Sequence, residues 1–368
     1  MALSATLHMK RALDLARRAE GFTHPNPMVG CVLVKGGEVI AEGWHKKPGA
    51  EHAEAMALRL ADTAAKGATA YVTLEPCNHF GRTPPCSQAL IKAGVERVVY
   101  GEPDQNPLAE GGATALRAAG VSAELIDDAD IRALCTDLIR PWAHAVQSDR
   151  PWVTAKVAMS FDGFTATASG ESKWITGEEA RQHSHQLRQR TGAIAVGIGT
   201  VLADDPSLDP RPSDSAAAPG LKVIFDSQMQ TPHTAKLLTS LGTSLVLAHE
   251  HAASDKAERL RETGADVVLL PGNEGRPDLN QALRHLKDRG VVDLMIEGGS
   301  TLLGEALTLG IVDEIWAYRA PLLLGAGNPA FGAYTASSLA SAPRLELLEQ
   351  CRLGDDQFSR YLVKRTAS

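Results

Sequence analysis

At 368 residues the chain exceeds the usual size of a single hydrophobic core, so two domains are expected. Its 44% hydrophobic and 22% charged residues describe a soluble globular protein, and no apolar run reaches the length of a membrane span. A net charge of −7 with 5% aromatic residues argues against nucleic acid as the main partner, which calls for a basic stripe and stacking rings. A small anionic substrate stays compatible, since two or three placed cations suffice to hold it. The N-terminus has neither a basic start nor a hydrophobic signal core, so the expected compartment is the cytosol.

In chain order, residues 7–19 carry apolar side chains at helical spacing and predict an amphipathic helix. Two prolines, Pro25 and Pro27, then stiffen a turn around Asn26. Its amide offers a donor and an acceptor in one plane, which suits a pyrimidine edge, and equally suits a bond to its own backbone. Residues 31–34 and 38–43 read as strands joined at Gly36-Gly37, a hairpin signal. His45 is expected to be a core or solvent-facing histidine rather than part of a pocket.

The strongest chemical signal follows. His52, Cys77 and Cys86 supply one imidazole and two thiols, a suitable set for Zn²⁺ with the fourth tetrahedral position left to water. Glu54, two residues from the histidine, is the expected proton shuttle. Residues two apart do not share a helix face, so His52 and Glu54 must meet at an irregular first turn of the Ala-rich helix over 53–66. Both cysteines follow prolines, Pro76 and Pro85, and a proline suits the first turn of a helix, where a thiolate is favoured. The second of those helices is expected over 87–93. The remaining thiols, Cys31, Cys135 and Cys351, read as reduced core residues. A structural zinc closed by His79 is the plainer alternative.

Strands are expected over 68–74, 95–100 and 121–125, with a helix over 111–119, giving a mixed sheet covered by helices. A connecting helix over 131–147 is expected to be interrupted at Pro141. The polar turn beginning at Ser148 sets the boundary, giving domains 1–147 and 148–368. Beyond it, strand-like runs recur at 152–159, 193–199, 222–226, 244–248, 266–270, 291–296 and 314–320, and 178–191 reads as a helix. Glu297-Gly298-Gly299 closes one of these strands before a helix start, a turn whose free amides suit a phosphate. It lacks the Gly-x-Gly-x-x-Gly spacing, so a Rossmann domain is not supported.

His52-Ala53-Glu54 with Pro76-Cys77 is the pattern of the zinc nucleobase deaminases. The eight-residue insert before Cys86 departs from the common spacing. It resembles the deaminase half of the bifunctional riboflavin-biosynthesis deaminase/reductase family. The second half resembles the family's reductase through Ser160-Phe161-Asp162-Gly163, Gly170-Glu171-Ser172, Trp174-Ile175-Thr176, Thr200 to Pro206, Asp226-Ser227 and Glu297-Gly298-Gly299. This resemblance implies an α/β protein with a cytidine deaminase-like three-layer α/β/α sandwich followed by a dihydrofolate-reductase-like α/β domain. It implies a zinc deaminase acting on a phosphorylated diaminopyrimidine, then an NADPH-dependent reductase of the ribosyl chain, in a protein plausibly dimeric through its second domain. Asn26 would then hold the ring.

Carried over position by position, the cofactor would meet Ala158, Trp174, Thr200, Asp204, Ser227 and the run Gly299, Ser300, Thr301, Leu302, Leu303, Gly304 and Glu305. Substrate would meet Lys156, Ser172, Arg188, Leu208, Arg211 and Glu297. Lys156 and Asp204 are the polar candidates to assist hydride transfer. Phe164 and Gln230 depart from the family pattern, since each stands where a basic residue is expected, and a cation is how an adenosine 2′-phosphate is read. The competing readings are a deaminase of an RNA base and a regulatory nucleotide-binding protein with a structural zinc.

Overall fold

A computed structural model describes residues 2–80, 84–210, 220–332 and 334–364. The chain divides into two units, Met1–Ser148 and Asp149–Ser368.

In the first unit the elements are α1 (Ala2–Arg17), β1 (Gly30–Lys35), β2 (Glu38–Trp44), α2 (Ala53–Ala61), β3 (Thr69–Val72), α3 (Cys86–Lys92), β4 (Arg97–Tyr100), α4 (Gly112–Ala118), β5 (Ser122–Leu125) and α5 (Ala129–Gln147). The sheet runs β2-β1-β3-β4-β5. β1 is antiparallel to both neighbours, while β3, β4 and β5 are parallel. Alternation along β1 sends Cys31 and Leu33 to one face and Val32 and Val34 to the other. The first pair packs with Ala53, Ala57, Leu90 and Leu116 of α2, α3 and α4. The second packs with Met9, Leu13, Ile131 and Cys135 of α1 and α5. Helices on both faces make the three layers.

Two local expectations are corrected here. The helix expected over 53–66 ends at Ala61, because Asp62 turns to a φ of 47° and a 3₁₀ turn, Asp62–Ala65, follows. Pro141 does not interrupt α5, which runs unbroken for 19 residues. A proline removes a single helical hydrogen bond, and the buried stripe Ile131, Cys135, Ile139, Ala143 and Ala145 holds both halves in the core.

The second unit contains β6 (Trp152–Met159), β7 (Phe164–Thr167), α6 (Glu178–Arg190), β8 (Ala193–Gly197), α7 (Ile198–Asp204), β9 (Leu221–Phe225), α8 (Lys236–Thr239), β10 (Ser244–His249), α9 (Ser254–Glu262) and β11 (Asp266–Leu270). A two-residue pair, β12 (Gly272–Asn273) and β13 (Arg276–Pro277), precedes α10 (Leu279–Asp288), β14 (Asp293–Glu297), α11 (Ser300–Thr308), β15 (Glu314–Arg319) and β16 (Gly327–Pro329). The chain closes with β17 (Arg344–Leu353) and β18 (Asp356–Lys364), a hairpin absent from the sequence reading.

Nine strands form one sheet in the order β11-β10-β9-β8-β14-β6-β15-β18-β17. The seven from β11 to β15 are parallel, and β18 joins β15 antiparallel. Their apolar residues are buried on both faces, as parallel strands require. α10 and α11 cover one face through Leu283, Leu286 and Leu303, while α6 and α9 cover the other through Leu187 and Leu260. β14 returns from the far edge to lie between β8 and β6, so the ends of β8, β14 and β6 meet at a reversal of strand order. Such a crevice is where open α/β sheets bind ligands. Among the described residues no helix is long and apolar enough to cross a membrane.

Candidate active sites

In the first unit, His52 caps the N-terminus of α2 with extended backbone (φ −69°, ψ 160°) and Glu54 lies in the first turn. The non-helical cap is what brings two residues only two apart to one site. His52 Nδ1 lies 3.3 Å from Cys86 Sγ and 3.6 Å from Cys77 Sγ. A tetrahedral centre with bonds of about 2.0 Å to nitrogen and about 2.3 Å to sulfur has N···S edges of roughly 3.5 Å. The three donors therefore fit Zn²⁺ both in type and in spacing. Among the described residues they are the one group able to hold a metal, and His79 stands outside it. A site closed by His79 has no geometric support.

Cys86 opens α3 after Pro85, as expected. Cys77 does not open a helix, and residues 75–78 are irregular backbone. Its sulfur instead accepts the Cys86 N–H at 3.5 Å, so the first turn of α3 serves both thiols. The hydrogen bond from Cys86 holds Cys77 toward the thiolate against burial, with His52 adding to the effect. Cys86 is pushed the opposite way by its bond to Cys77 and by burial. Burial raises the Glu54 carboxyl to about 7, and the Cys77 charge pushes the same way. That places a carboxyl able to exchange a proton near neutrality beside the metal donors.

Two further groups shape this site. Asn26 Nδ2 lies 3.0 Å from Nε2 of the buried His45, whose ring meets the His52 ring edge-on. The buried Glu75 accepts the Asp104 N–H at 3.2 Å and the Ala113 N–H at 2.8 Å. It thereby ties both ends of the loop between β4 and α4 to the segment leading into Cys77. Gly112 makes this approach possible, because a Cβ there would collide with the Pro76 carbonyl.

In the second unit, Lys156 and Ala158 on β6, Glu297 and Gly299 at the end of β14, and Thr200 after β8 lie where those three strands meet, while Ser227 follows β9. Gly298 and Gly299 take positive φ (96° and 81°), and they lie beside Thr200 and the Gly197 backbone respectively. The N-termini of α7 and α11 are thus neighbours, each leaving amides without intrahelical partners. Within the run from Gly299 to Glu305 the Leu302 and Leu303 side chains are core, and Leu303 N–H already donates to Gly299 O. The amides open to a phosphate are accordingly at the start of that run. Glu305 pairs with Arg276 at 3.8 Å.

Lys156 and Glu297 are cross-strand partners and pair at 3.1 Å, while Arg188 grips Glu297 with two bonds of 2.7 and 2.9 Å. The Lys156 ammonium lies 5.7 Å from the ring centre of Tyr318, whose hydroxyl is 2.8 Å from His183 Nδ1. Asp204 pairs with Lys173 at 3.0 Å, and the exposed Trp174 is stacked by Arg181 at 4.6 Å. Both contacts hold the 170–176 loop onto α6 and α7. Ser172 and Ala158 are half-buried, and Leu208 is buried at a φ of 56°. Ser227 follows the buried Asp226, which accepts both the N–H and hydroxyl of Thr231 at 2.7 Å and so builds the turn. Gln230 is exposed on that turn and Phe164 starts β7. Arg211, and residues 81–83 of the insert before Cys86, lie outside the described residues.

A family model described as the cytidine and deoxycytidylate deaminase zinc-binding region matches residues 4–102. A second, described as the RibD C-terminal domain, matches residues 151–358. The riboflavin biosynthesis protein RibD of Actinobacillus pleuropneumoniae is 42% identical over 360 residues, spanning 97% of this chain and 94% of that protein. The chain belongs to the RibD family.

Solved structures agree on the RibD fold. Acinetobacter baumannii RibD superposes with a TM-score of 0.88 at 39% identity, covering 99% of this chain and all of that one. A Thermotoga maritima protein, titled a diaminohydroxyphosphoribosylaminopyrimidine deaminase/5-amino-6-(5-phosphoribosylamino)uracil reductase, superposes at 0.85 with 29% identity over 99% of both chains. The RibD chain accordingly carries a cytidine deaminase-like first half and a reductase second half, as the sequence motifs imply. Glu75, His183 and Tyr318 carry no signal in spacing, since their partners are distant in sequence.

Proposed function

We infer that the chain is a bifunctional enzyme of riboflavin biosynthesis. Its first unit hydrolyses the 2-amino group of 2,5-diamino-6-(ribosylamino)-4(3H)-pyrimidinone 5′-phosphate, and its second reduces the ribosyl group of the product to ribityl. The observation that carries this reading is the His52, Cys77 and Cys86 triad at zinc spacing with the buried Glu54 beside it.

His52, Cys77 and Cys86 would hold Zn²⁺, which would supply Lewis acidity and lower the pKa of water toward neutrality. Glu54 takes up a proton from water on its carboxylate and returns it to the departing amine, so the group ends the cycle as it began. Asn26 holds the pyrimidine edge by its amide. In the second unit bound NADPH would supply the hydride for C1′ of the ring-opened sugar. The amides at Ser300 and Thr301, with Thr200, would hold its phosphates, and Ala158, Trp174, Asp204 and Ser227 would complete the cofactor site. Lys156, paired with Glu297, donates a hydrogen bond to the sugar oxygen. Arg188, Ser172, Leu208 and Arg211 hold the phosphorylated substrate. Placement of donor against acceptor contributes much of the acceleration in such a site. The same proposal places the chain in the cytosol as a homodimer built on the second unit.

The test supplies the diaminopyrimidine to the zinc-loaded protein and follows ammonia and NADPH separately. Ammonia is expected without NADPH, and NADPH oxidation only after ammonia has been released. Glu54→Gln is expected to keep its zinc and its reduction of the supplied uracil intermediate while losing ammonia release. Undiminished ammonia release by that variant removes Glu54 from the mechanism, and no ammonia from the parent protein overturns the assignment.

A further inference from the structure

We propose that His45 is a positioning residue that fixes which end of the Asn26 amide reads the pyrimidine. This rests on the placement of Asn26 against the substrate ring. His45 Nδ1 lies 3.0 Å from the Glu51 carbonyl oxygen. A carbonyl only accepts, so Nδ1 carries the hydrogen, and in a neutral imidazole the other nitrogen is then a bare acceptor. A donor amide nitrogen set against Nε2 requires that ring nitrogen to be bare. The Asn26 amide faces Nε2 at 3.0 Å. With an acceptor there, only the NH₂ end of the amide can occupy that side. A flipped amide would set two lone pairs against each other in this part-buried contact, leaving both facing atoms unpaired.

The consequence is a directional reader. One Nδ2–H is spent on His45, which leaves Oδ1 and the second N–H for the ligand. Such an amide accepts a ring edge that offers an N–H donor to Oδ1 beside an acceptor for the amide hydrogen, as a pyrimidinone edge does. A ring presenting the reverse order at that position is refused, because turning the amide round would break the bond to His45. The anchor, Glu51, immediately precedes the metal donor His52. Substrate reading and metal binding are thus set by the same turn. Pro25 and Pro27 on either side of Asn26, and its N–H bond to Thr23 O at 2.6 Å, keep its backbone from compensating.

The experiment is a double-mutant cycle on the zinc-loaded full chain with His45→Phe, Asn26→Ala and the pair. His45→Phe is expected to raise KM for the diaminopyrimidine roughly tenfold, the scale of one lost hydrogen bond, while kcat and zinc content stay near those of the parent. In the Asn26→Ala background the same change is expected to add nothing, because a residue acting through Asn26 has nothing left to orient. Should the phenylalanine variant fail to hold zinc, His45→Gln, whose carbonyl can still accept from Asn26, takes its place with KM near the parent value expected. Imidazole ¹⁵N spectra of the parent protein give a readout independent of turnover, with a neutral Nδ1–H tautomer expected for His45. Additive effects in the cycle, an unchanged KM in His45→Phe, or an Nε2–H or cationic ring overturns the proposal. A parent protein that releases no ammonia instead overturns the assigned reaction and leaves the spectrum to decide the tautomer.

Discussion

Glu297 shows how much one side chain can carry. Burial alone would push its carboxyl up, but Arg188 and Lys156 outweigh that and hold it well below the ordinary carboxylate range. A carboxyl depressed in the folded state stabilises the protein above its unfolded pKa, and the contribution is lost as pH falls through the folded value. At neutral pH the contribution is complete, and it declines below about pH 4, where unfolded glutamate starts to protonate. Glu297→Gln leaves two largely buried cations without their counter-charge, so a loss of about 3 kcal/mol in the second unit is expected. Urea unfolding at a series of pH values checks this: the variant should be less stable at pH 7 and lose less on acidification. An acid limb of unchanged steepness would exclude the triad as its source. Lys156 and Glu297 stand in runs that carry the family resemblance, whereas Arg188 reads by default as a surface ion-pair residue. Their mutual grip was not legible, because the partners lie 141 and 109 residues apart. The same distance hid the work of Glu75, whose partners are 29 and 38 residues away. The metal donors were legible because their residue types are rare and their chemistry leaves few other uses.

Among the elements, the loop between β4 and α4 is the one most dependent on a single anchor. Glu75 accepts from Asp104 at its start and from Ala113 in the first turn of α4. Asn78 N–H meanwhile bonds Ala109 O at 2.8 Å in the middle. Glu75→Gln keeps one accepting oxygen and turns a donor toward the other amide, so a cost of about 1–3 kcal/mol is expected. Hydrogen exchange should quicken at the Asp104 and Ala113 amides while the β6 and β14 amides stay as protected as before. Equal protection at those two amides in the variant would show that the loop does not depend on Glu75. The parallel strands were readable because both faces are buried and their sequences are continuous apolar runs. β17 was not readable, because it is the edge of the nine-stranded sheet and exposes Leu345 and Leu347 among charged neighbours. α5 was misread at Pro141 for the opposite reason, since a local helix-breaking preference yielded to the buried stripe on either side of it.

Over the whole molecule, each unit has its own sheet and its own buried core, and each candidate site is assembled from residues of one unit. Metal and hydride chemistry should therefore be separable in the intact chain. Removing zinc leaves Cys77 and Cys86 close together with His52 as their remaining partner. The binding free energy that zinc contributes to folding is then lost from the first unit alone. Treatment with a chelator is expected to abolish ammonia release and lower the melting temperature of the first unit. Reduction of the supplied uracil intermediate and the melting of the second unit should be unchanged. Calorimetry beside the two activity assays resolves these outcomes. Restoring one equivalent of zinc should recover both the transition and the ammonia. Loss of the reductase activity on chelation would mean that the second site depends on the metal, and the division of labour drawn from the two cores would fail. An unshifted first transition would mean that the triad does not contribute metal-binding energy to folding. The restriction of the effect to one unit follows from topology, because all three donors sit on α2, on α3 and in the loop between β3 and α3.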